Sequence, residues 1–352
     1  MALLEVRDLR VLFPTEDGLV RAVDSVSYKV EEGQSVGIVG ESGSGKSVSS
    51  LTVMGLTRFQ NAQISGEILF EGRDLLTASD AEMRRIRGNE IAMIFQDPLS
   101  SLHPFYKVGD QLVEAIRTHF DVSRGQARER AVELLGLVGI PNPRQRVQAY
   151  PHEFSGGMRQ RAMIAMALAN EPKLLIADEP TTALDVTVQA QILDLMARLQ
   201  QELKMALVLI THDLGVVAEV THEVNVMYAG EIVERASTER IFSAPQHPYT
   251  WGLLRSIPSL DRPREEELVP IPGRPPSLIA PPGGCRFFPR CYYEPDPARE
   301  KHPELDGVAN DDGHQVRCFL AAESRRRIWE QLAAGRLPEQ IKRDLTVESG
   351  TG

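Results

Sequence analysis

The segment from Val36 to Ser47 constrains the fold of this chain more than any other part of its sequence. Val36-Gly-Ile-Val39 predicts a short buried strand, and Gly40-Glu-Ser-Gly-Ser-Gly-Lys-Ser47 predicts a tight glycine-rich loop. The residues from Lys46 to Gly55 then predict a helix. Glycines permit tight turns that point successive backbone N–H groups inward, and a helix N-terminus adds positive potential. The pattern therefore predicts a phosphate-binding loop in an α/β fold of the P-loop type.

Two residues at the end of this loop have side chains suited to a nucleotide with bound Mg²⁺. Lys46 is expected to reach the β- and γ-phosphates, and the hydroxyl of Ser47 is expected to bind the metal ion. The alternative, a glycine-rich turn without a ligand, does not explain the Lys-Ser ending in this context. The residues expected to contact the nucleotide here are Gly40, Glu41, Ser42, Gly43, Ser44, Gly45, Lys46, Ser47 and Val48.

Two further apolar stretches end in polar residues that suit phosphate chemistry. Leu174–Ala177 predicts a strand followed by Asp178 and Glu179, and Ala206–Thr211 predicts a strand followed by His212. Ligands bind at the carboxyl edge of open α/β sheets. At this edge Asp178 is expected to bind Mg²⁺, and Glu179 is expected to polarise an attacking water. His212 is expected to donate a hydrogen bond to a γ-phosphate. The alternatives are an acidic pair that caps a helix and a structural histidine.

Composition sets outer limits on the function. The chain has 352 residues and a formal net charge of −10, so no general affinity for nucleic acid is expected. The chain starts with a strand-like stretch, so no signal peptide is expected. The longest uncharged apolar stretch, Ala162–Asn170, is too short to span a bilayer.

Four more motifs resemble those of the ATPase subunits of ABC transporters. Phe154-Ser-Gly-Gly-Met-Arg-Gln-Arg161 resembles the signature motif, and Ile94-Phe-Gln-Asp-Pro98 resembles the Q-loop. Ala183-Leu-Asp185 resembles the D-loop, and Ile210-Thr-His-Asp213 resembles the H-loop. The resemblance implies an ABC-type ATPase domain that binds ATP and Mg²⁺.

The closer resemblance is to the D-type ATPases of oligopeptide and dipeptide permeases, and it covers residues 3–320. It is carried by Tyr150–Arg161, by Ile94–Leu102 and by three motifs of the tail: His247-Pro-Tyr-Thr, Ile271-Pro-Gly-Arg-Pro-Pro and Gly284-Cys-Arg-Phe-Phe-Pro-Arg-Cys291. The signature departs from the common form of the superfamily at Phe154 and Met158, as it does in this branch.

The resemblance implies roles for residues outside the phosphate-binding loop. Ser155, Gly156 and Gly157 would touch the γ-phosphate of ATP held on the opposite subunit, at the start of a helix spanning Met158–Ala169. Asp185 would organise the dimer interface. Phe13 would stack on adenine, the alternative being a core or surface aromatic. The implied catalytic residues are Glu179, His212 and Gln96, and the implied Mg²⁺ ligands are Ser47, Gln96 and Asp178.

The resemblance also implies two domains. Residues 1–235 would form the nucleotide-binding domain, with a helical subdomain at about 97–160 that includes helices Val108–His119 and Arg124–Val138. Residues 236–352 would form a C-terminal extension. In the family, Pro98–Asp110 would meet a coupling helix of a membrane subunit. The candidate contacts are His103, Phe105 and Tyr106, the alternative for each being a packed loop.

The C-terminal extension is rich in proline and contains all three cysteines. Fourteen of the 23 prolines lie between Pro245 and Pro303, which predicts an extended arm with local turns. Cys285, Cys291 and Cys318 resemble the iron–sulfur pattern of this branch less one ligand, because Ala298 stands at the usual third position. A fourth ligand could come from Asp296, His302 or His314, and an iron–sulfur cluster, zinc and no metal are all left open. Ala321–Leu345 predicts a helix in which Arg325-Arg-Arg327 forms a solvated face.

These features predict the ATP-hydrolysing motor of an ABC importer for dipeptides or oligopeptides. The resemblance implies a heterodimer with a second, similar ATPase, two transmembrane permease subunits and an extracytoplasmic solute-binding protein. The chain would lie peripherally on the cytoplasmic face of the inner membrane. The alternatives are an importer for another solute (a nickel chelate, glutathione or an opine), a soluble ABC ATPase that acts on DNA or ribosomes, and a regulator without turnover.

Overall fold

A computed structural model of the chain describes residues 2–96, 101–182, 184–257 and 270–349. The strands are β1 (Leu4–Thr15), β2 (Gly18–Val30), β3 (Ser35–Val39), β4 (Gln63–Phe70), β5 (Arg73–Asp74), β6 (Ile91–Ile94), β7 (Leu174–Asp178), β8 (Ala206–Thr211), β9 (Glu223–Tyr228), β10 (Glu231–Ser237), β11 (Asp306–Gly307) and β12 (Gln315–Val316). The α-helices are α1 (Lys46–Val53), α2 (Asp80–Ile86), α3 (Val108–His119), α4 (Arg124–Leu137), α5 (Pro143–Arg146), α6 (Gly156–Ala167), α7 (Val186–Leu203), α8 (Leu214–Val220), α9 (Thr238–Ser243), α10 (Pro248–Arg255), α11 (Ala322–Ala333) and α12 (Pro338–Ser349).

The larger sheet has eight strands in the order β11-β12-β10-β9-β3-β8-β7-β6. Five adjacent strands at one end of this sheet, β9-β3-β8-β7-β6, are parallel. Every residue of β3, β7 and β8 is buried, as expected for parallel strands covered on both faces. This burial explains why these strands read as continuous apolar runs in the sequence, and why their polar ends stand out.

A second, antiparallel sheet covers one side of the larger sheet. Its order is β2-β1-β4-β5. Val6, Val23 and Ile68 from this sheet share a buried cluster with Ile38 of β3 and Ile176 of β7. Helices α3, α4, α6 and α7 form a separate buried cluster with β6, β7 and β8. The predicted α/β architecture with a helical subdomain is therefore confirmed.

The C-terminal extension joins the larger sheet instead of standing apart from it. Strand β12 pairs with β10, where Val316 lies opposite Glu234 and Gln315 lies opposite Arg235. Its aromatic residues also pack: Phe287 lies in a buried cluster with Tyr228 of β9 and Tyr249 of α10. The extension thus shares a sheet and a core with the segment that precedes it.

Several predicted elements are confirmed and a few need correction. The bounds of α3 and β8 agree with the prediction, and α4 ends one residue early, at Leu137. The signature helix begins at Gly156, earlier than the predicted Met158, because Ser155 already caps it. Helix α1 ends at Val53, short of the predicted Gly55, whose φ of 65° is left-handed.

The proline-rich segment is more regular than predicted. It contains helix α10, because Pro248 stands at the first helical position, where its missing N–H group costs nothing. The predicted single C-terminal helix is two helices, α11 and α12, separated by Gly335 with a φ of 86°. Arg325 is buried and bonds to Gln246, so the predicted solvated face is wrong at that residue. Within the described ranges, no helix is long and apolar enough to cross a membrane.

Candidate nucleotide site

The candidate site lies where the parallel strands β3, β7 and β8 end. In the register of the sheet, Val39 lies opposite Thr211, and Asp178 lies opposite Ile210. The loops that follow these strands therefore leave the sheet at the same edge. This edge is where open α/β sheets bind ligands.

The phosphate-binding loop, Gly40–Ser47, requires glycine at two positions because neighbouring backbone approaches closely. A Cβ atom at Gly40 would lie 2.1 Å from the carbonyl oxygen of Met227. A Cβ atom at Gly45 would lie 2.1 Å from the carbonyl oxygen of Ala22, and Gly45 has a φ of 100°. Gly43 is different: its φ is 78°, but a Cβ atom there would meet nothing within 4 Å. The loop is thus fixed at both ends and open at its middle, as a cradle for phosphate requires.

Lys46 is buried beneath this loop. Its Nζ donates hydrogen bonds to the carbonyl oxygens of Gly40 at 2.7 Å and Glu41 at 3.0 Å. The residue is only 5% exposed, and this burial lowers the pKa of the ammonium group. Neutral acceptors hold the charge in place, so an anionic phosphate would stabilise it further. The position fits the predicted contact with phosphate.

Ser47 and Asp178 come together as the sequence predicts for a magnesium site. The hydroxyl of Ser47 donates a hydrogen bond to Oδ1 of Asp178 at 3.0 Å. Asp178 is 6% exposed, and burial raises the pKa of its carboxyl group. A divalent cation would favour the ionised form, and hydroxyl and carboxylate oxygens are ligands that Mg²⁺ accepts. The two residues therefore fit the ion.

Glu179 brings the other predicted catalytic residues together. Its Oε2 accepts a hydrogen bond from Nε2 of Gln96 at 2.9 Å, and its Oε1 lies 3.3 Å from Nδ1 of His212. Its backbone N–H donates to the carbonyl oxygen of Ile210 at 2.8 Å, and its φ is 47°. A glutamate held in the left-handed region is strained, and such strain is typical of functional sites.

Thr182 is a residue of this site that the sequence reasoning missed. Its hydroxyl donates a hydrogen bond to Oε2 of Glu179 at 2.9 Å. The signal was present in the sequence, because Pro180-Thr-Thr182 directly follows the two carboxylates at the strand end. A threonine hydroxyl three residues beyond a glutamate can reach back to it in a turn.

The signature motif and the D-loop lie beside each other. Ser155 accepts a hydrogen bond from the N–H of Met158, and Asp185 accepts one from the N–H of Val188, so each caps a helix. A Cβ atom at Gly157 would lie 2.8 Å from Cγ1 of Val188. Ser155 and Gly156 are exposed, as a surface offered to another subunit requires. Ala183 of the D-loop lies outside the described residues.

The remaining residues predicted to contact the nucleotide differ in how deeply they are buried. Phe13 and Val48 are partly buried and pack against the cluster beneath the antiparallel sheet. Ser42 is exposed and Ser44 is buried. The carboxylate of Glu41 accepts hydrogen bonds from Arg290 of the extension, a contact that the sequence did not predict.

The candidate contacts with a membrane subunit form an exposed aromatic group. Phe105 is 82% exposed and Tyr106 is 60% exposed. The ring of His103 lies 4.7 Å from that of Tyr106 and 5.9 Å from that of Phe105, measured between centroids. Residues 97–100, which include Pro98 of the predicted segment, lie outside the described residues.

The structure does not support the predicted metal centre of the extension. Within the part of the chain that it describes, no three His, Cys, Asp or Glu side chains converge to hold a metal ion. Cys285, Cys291 and Cys318 are free thiols, and burial raises the pKa of each. The three residues do not fit a cluster in this arrangement.

Two of the three predicted fourth ligands already have other partners. His302 lies 3.2 Å from Oε1 of Glu231. His314 lies 2.9 Å from both Glu234 and Asp311. The third candidate, Asp296, begins a short 3₁₀ helix, Asp296–Arg299. Ala298 lies beside Cys285, whose N–H group bonds to the carbonyl oxygen of Ala298 at 2.8 Å.

Packing and ion pairs order the extension in this structure. Phe287 and Tyr293, which lie within the proline-rich segment, are buried. Arg286 forms ion pairs with Asp24 of β2 and Glu231 of β10. These contacts offset the conformational entropy that is lost when the segment becomes ordered.

The parallel sheet, the phosphate-binding loop and the motifs at its strand ends define an ATP-binding cassette. The comparisons with known families agree with this class. The family described as "ABC transporter" matches residues 23–182, and the family described as "Oligopeptide/dipeptide transporter, C-terminal region" matches residues 233–297. A solved dimeric structure of a bacterial ABC transporter cassette is 26% identical with a TM-score of 0.59, covering 67% of this chain and 98% of that one.

Two named relatives are similar over most of their length. The oligopeptide transport ATP-binding protein OppD of Bacillus subtilis (strain 168) is 54% identical, over 90% of this chain and 88% of that protein. The dipeptide transport ATP-binding protein DppD of Escherichia coli (strain K12) is 52% identical, over 93% of this chain and 99% of that protein. The chain belongs to this family of ABC transporter ATP-binding proteins.

Proposed function

We propose that this chain is the ATP-hydrolysing motor of an ABC importer for dipeptides or oligopeptides. One observation carries the hydrolytic part: the carboxylate of Glu179 lies between Gln96 and His212, next to the pair formed by Ser47 and Asp178. Glu179 would orient the attacking water, while Ser47, Asp178 and Gln96 would hold Mg²⁺. Lys46 and the backbone of Gly40–Ser47 hold the phosphates. Bound Mg²⁺ supplies charge neutralisation at the γ-phosphate.

The peptide cargo is supported by the relatives, whose names assign them to oligopeptide and dipeptide transport. The test is to express the chain with the permease subunits, second ATPase and binding protein of a peptide importer from the same organism, and to reconstitute the complex in vesicles. Peptide loaded on the binding protein should stimulate ATP hydrolysis and enter the vesicles. Stimulation by a nickel chelate or glutathione, but not by peptides, would refute the cargo.

The assembly that we propose is a heterodimer with a similar ATPase, bound to two permease subunits on the cytoplasmic face of the inner membrane. Residues 1–235 form the nucleotide-binding domain and residues 236–352 the extension, although β10 (Glu231–Ser237) runs through this boundary. Phe105 and Tyr106 are the proposed contacts with a coupling helix. Their exposure supports this role, because large aromatics are typical of interface contacts.

Replacing Ser155 tests whether the ATP site spans two subunits. Ser155→Ala should leave ATP binding to the isolated chain unchanged, because Ser155 is proposed to act on the partner's nucleotide. In the assembled complex, we expect hydrolysis at the partner's P-loop to fall roughly tenfold to a hundredfold, through loss of a hydrogen bond to the γ-phosphate. Single-turnover hydrolysis with a nucleotide confined to one site measures this. Full activity of a monomeric chain, independent of its concentration, would contradict the proposal.

We do not include an iron–sulfur cluster in the proposed mechanism. The triple variant Cys285→Ala/Cys291→Ala/Cys318→Ala should remain folded, because packing and ion pairs order the extension. Its melting temperature should fall by less than about 10 °C, the loss expected from three small cavities. Iron and sulfide analysis of anaerobically purified protein is the companion measurement. Stoichiometric iron and sulfide, lost together with the fold in the triple variant, would show that a cluster holds the extension.

A further inference from the structure

Arg290 of the C-terminal extension contacts the phosphate-binding loop at Glu41. Arg290 ends the short 3₁₀ helix Phe288–Arg290 and donates two hydrogen bonds to the carboxylate of Glu41. The distances are 2.5 Å from Nη1 to Oε2 and 3.0 Å from Nη2 to Oε1. Bidentate pairs of this kind fix geometry as well as charge. We call this pair the Arg290–Glu41 clasp.

The arginine of the clasp is itself held in place. Its side chain is 3% exposed, and its Nε donates a hydrogen bond to the carbonyl oxygen of Pro272 at 2.7 Å. Its guanidinium carbon lies 5.7 Å from the ring centroid of Tyr228 and 6.0 Å from that of Phe287. A buried, stacked guanidinium has few other positions open to it. The position of the Arg290 side chain is therefore fixed, with two of its N–H donors directed at Glu41 of the loop.

The backbone of Glu41 is hydrogen-bonded both to the extension and to Lys46. The N–H group of Glu41 donates to the hydroxyl of Tyr249 in α10 at 2.8 Å. The carbonyl oxygen of Glu41 accepts from Nζ of Lys46 at 3.0 Å. Both of these bonds are made by the backbone of Glu41, so a backbone shift at Glu41 after loss of the clasp would move an acceptor that positions the lysine ammonium group.

We propose that the extension sets the position of the phosphate-binding loop through the Arg290–Glu41 clasp, which makes Arg290 a positioning residue for nucleotide binding. Glu41 places a carboxylate, 30% exposed, on a loop that receives anions. Arg290 pairs with that carboxylate and neutralises its charge. Neither residue needs to touch the nucleotide with its side chain for this effect.

Two simpler roles for the pair predict different results. If Glu41 acted only as a negative charge near the phosphates, Glu41→Gln would tighten the binding of ATP, because it removes repulsion. If the clasp only attached the extension to the domain, its loss would lower the melting temperature without changing the affinity for ATP. The clasp as proposed predicts weaker binding of ATP for Glu41→Gln.

The test is the dissociation constant of MgATP for the full chain, measured beside the melting temperature without nucleotide. We expect Arg290→Gln to weaken binding about tenfold and Glu41→Gln about threefold to tenfold, the range for loss of charge-assisted hydrogen bonds. The double variant should bind no more weakly than Arg290→Gln, because both changes break one connection. Arg290→Lys keeps the positive charge but loses the two parallel N–H donors of the guanidinium group, so it should give an intermediate affinity for MgATP.

A matched control comes from an exposed ion pair on the same extension. Arg326→Gln breaks the pair of Arg326 with Glu323 on α11, and it should change neither measurement. If Arg290→Gln does not fold, Glu41→Gln decides the matter, because its side chain is partly exposed. Unchanged or tighter binding of ATP in Glu41→Gln would overturn the clasp. A wild-type chain that binds no ATP would refute the nucleotide site itself, which separates the two failures.

Discussion

Glu179→Gln is expected to abolish nearly all ATP hydrolysis while leaving ATP binding intact. The substitution keeps the size of the side chain, and one amide oxygen can still accept the hydrogen bonds of Gln96 and Thr182. It removes the carboxylate that would orient and polarise the attacking water. A general base of this kind contributes roughly 100-fold to 10,000-fold to kcat, so we expect a loss in that range.

The measurement is steady-state hydrolysis in the assembled complex, with the dissociation constant of MgATP determined in parallel. The variant should retain unhydrolysed ATP and hold the proposed dimer closed. Glu202→Gln is the matched control, because Glu202 is an exposed residue at the end of α7 that pairs with Arg198. Near-normal turnover in Glu179→Gln would contradict the proposal that Glu179 orients the attacking water.

The central part of the fold could be predicted from sequence because its signals are local. Buried parallel strands read as apolar runs, and β7 and β8 were found at the predicted positions for this reason. Helices α3 and α4 carry regular apolar spacing, and their bounds agree with the prediction to within one residue. The predicted start of α6 at Met158 is two residues late, because Ser155 caps the helix and Gly156 is its first residue.

The extension could not be predicted in the same way, because tertiary contacts decide its structure. Proline content predicted an extended arm, but Pro248 stands where a helix tolerates it. Nothing local indicates that β12 pairs with β10 or that Arg290 reaches Glu41, 249 positions away. The spacing of the cysteines suggested a ligand set that the described structure does not assemble.

The site was predictable in its parts but not in its connections. The phosphate-binding loop and the strand-end carboxylates follow from motif and position. The hydrogen bond from Ser47 to Asp178 joins residues 131 positions apart, and they meet because β3 and β7 both pair in parallel with β8. The strained backbone of Glu179, with its φ of 47°, leaves no trace in composition or periodicity.

Lys46→Ala is expected to weaken the binding of nucleotide, whereas Glu179→Gln should leave binding intact and slow hydrolysis. The ammonium group of Lys46 is buried and bonded to carbonyl oxygens of the loop, from where it would reach the phosphates. Its removal deletes a charge-assisted contact with an anion in a partly dehydrated site. Such a loss costs about 1.5–3 kcal/mol, which corresponds to roughly 10-fold to 150-fold weaker binding of MgATP.

The fold should survive this substitution, because burying an ammonium group is itself unfavourable and the alanine removes that cost. We therefore expect a melting temperature without nucleotide close to that of the wild type, and a much smaller rise on adding MgATP. Lys29→Ala is the control, since Lys29 is exposed and its ion pair with Glu5 lies on the antiparallel sheet. Wild-type affinity in Lys46→Ala would mean that the loop binds phosphate through its backbone alone. A variant that unfolds without nucleotide would mean that the bonds to Gly40 and Glu41 hold the loop together.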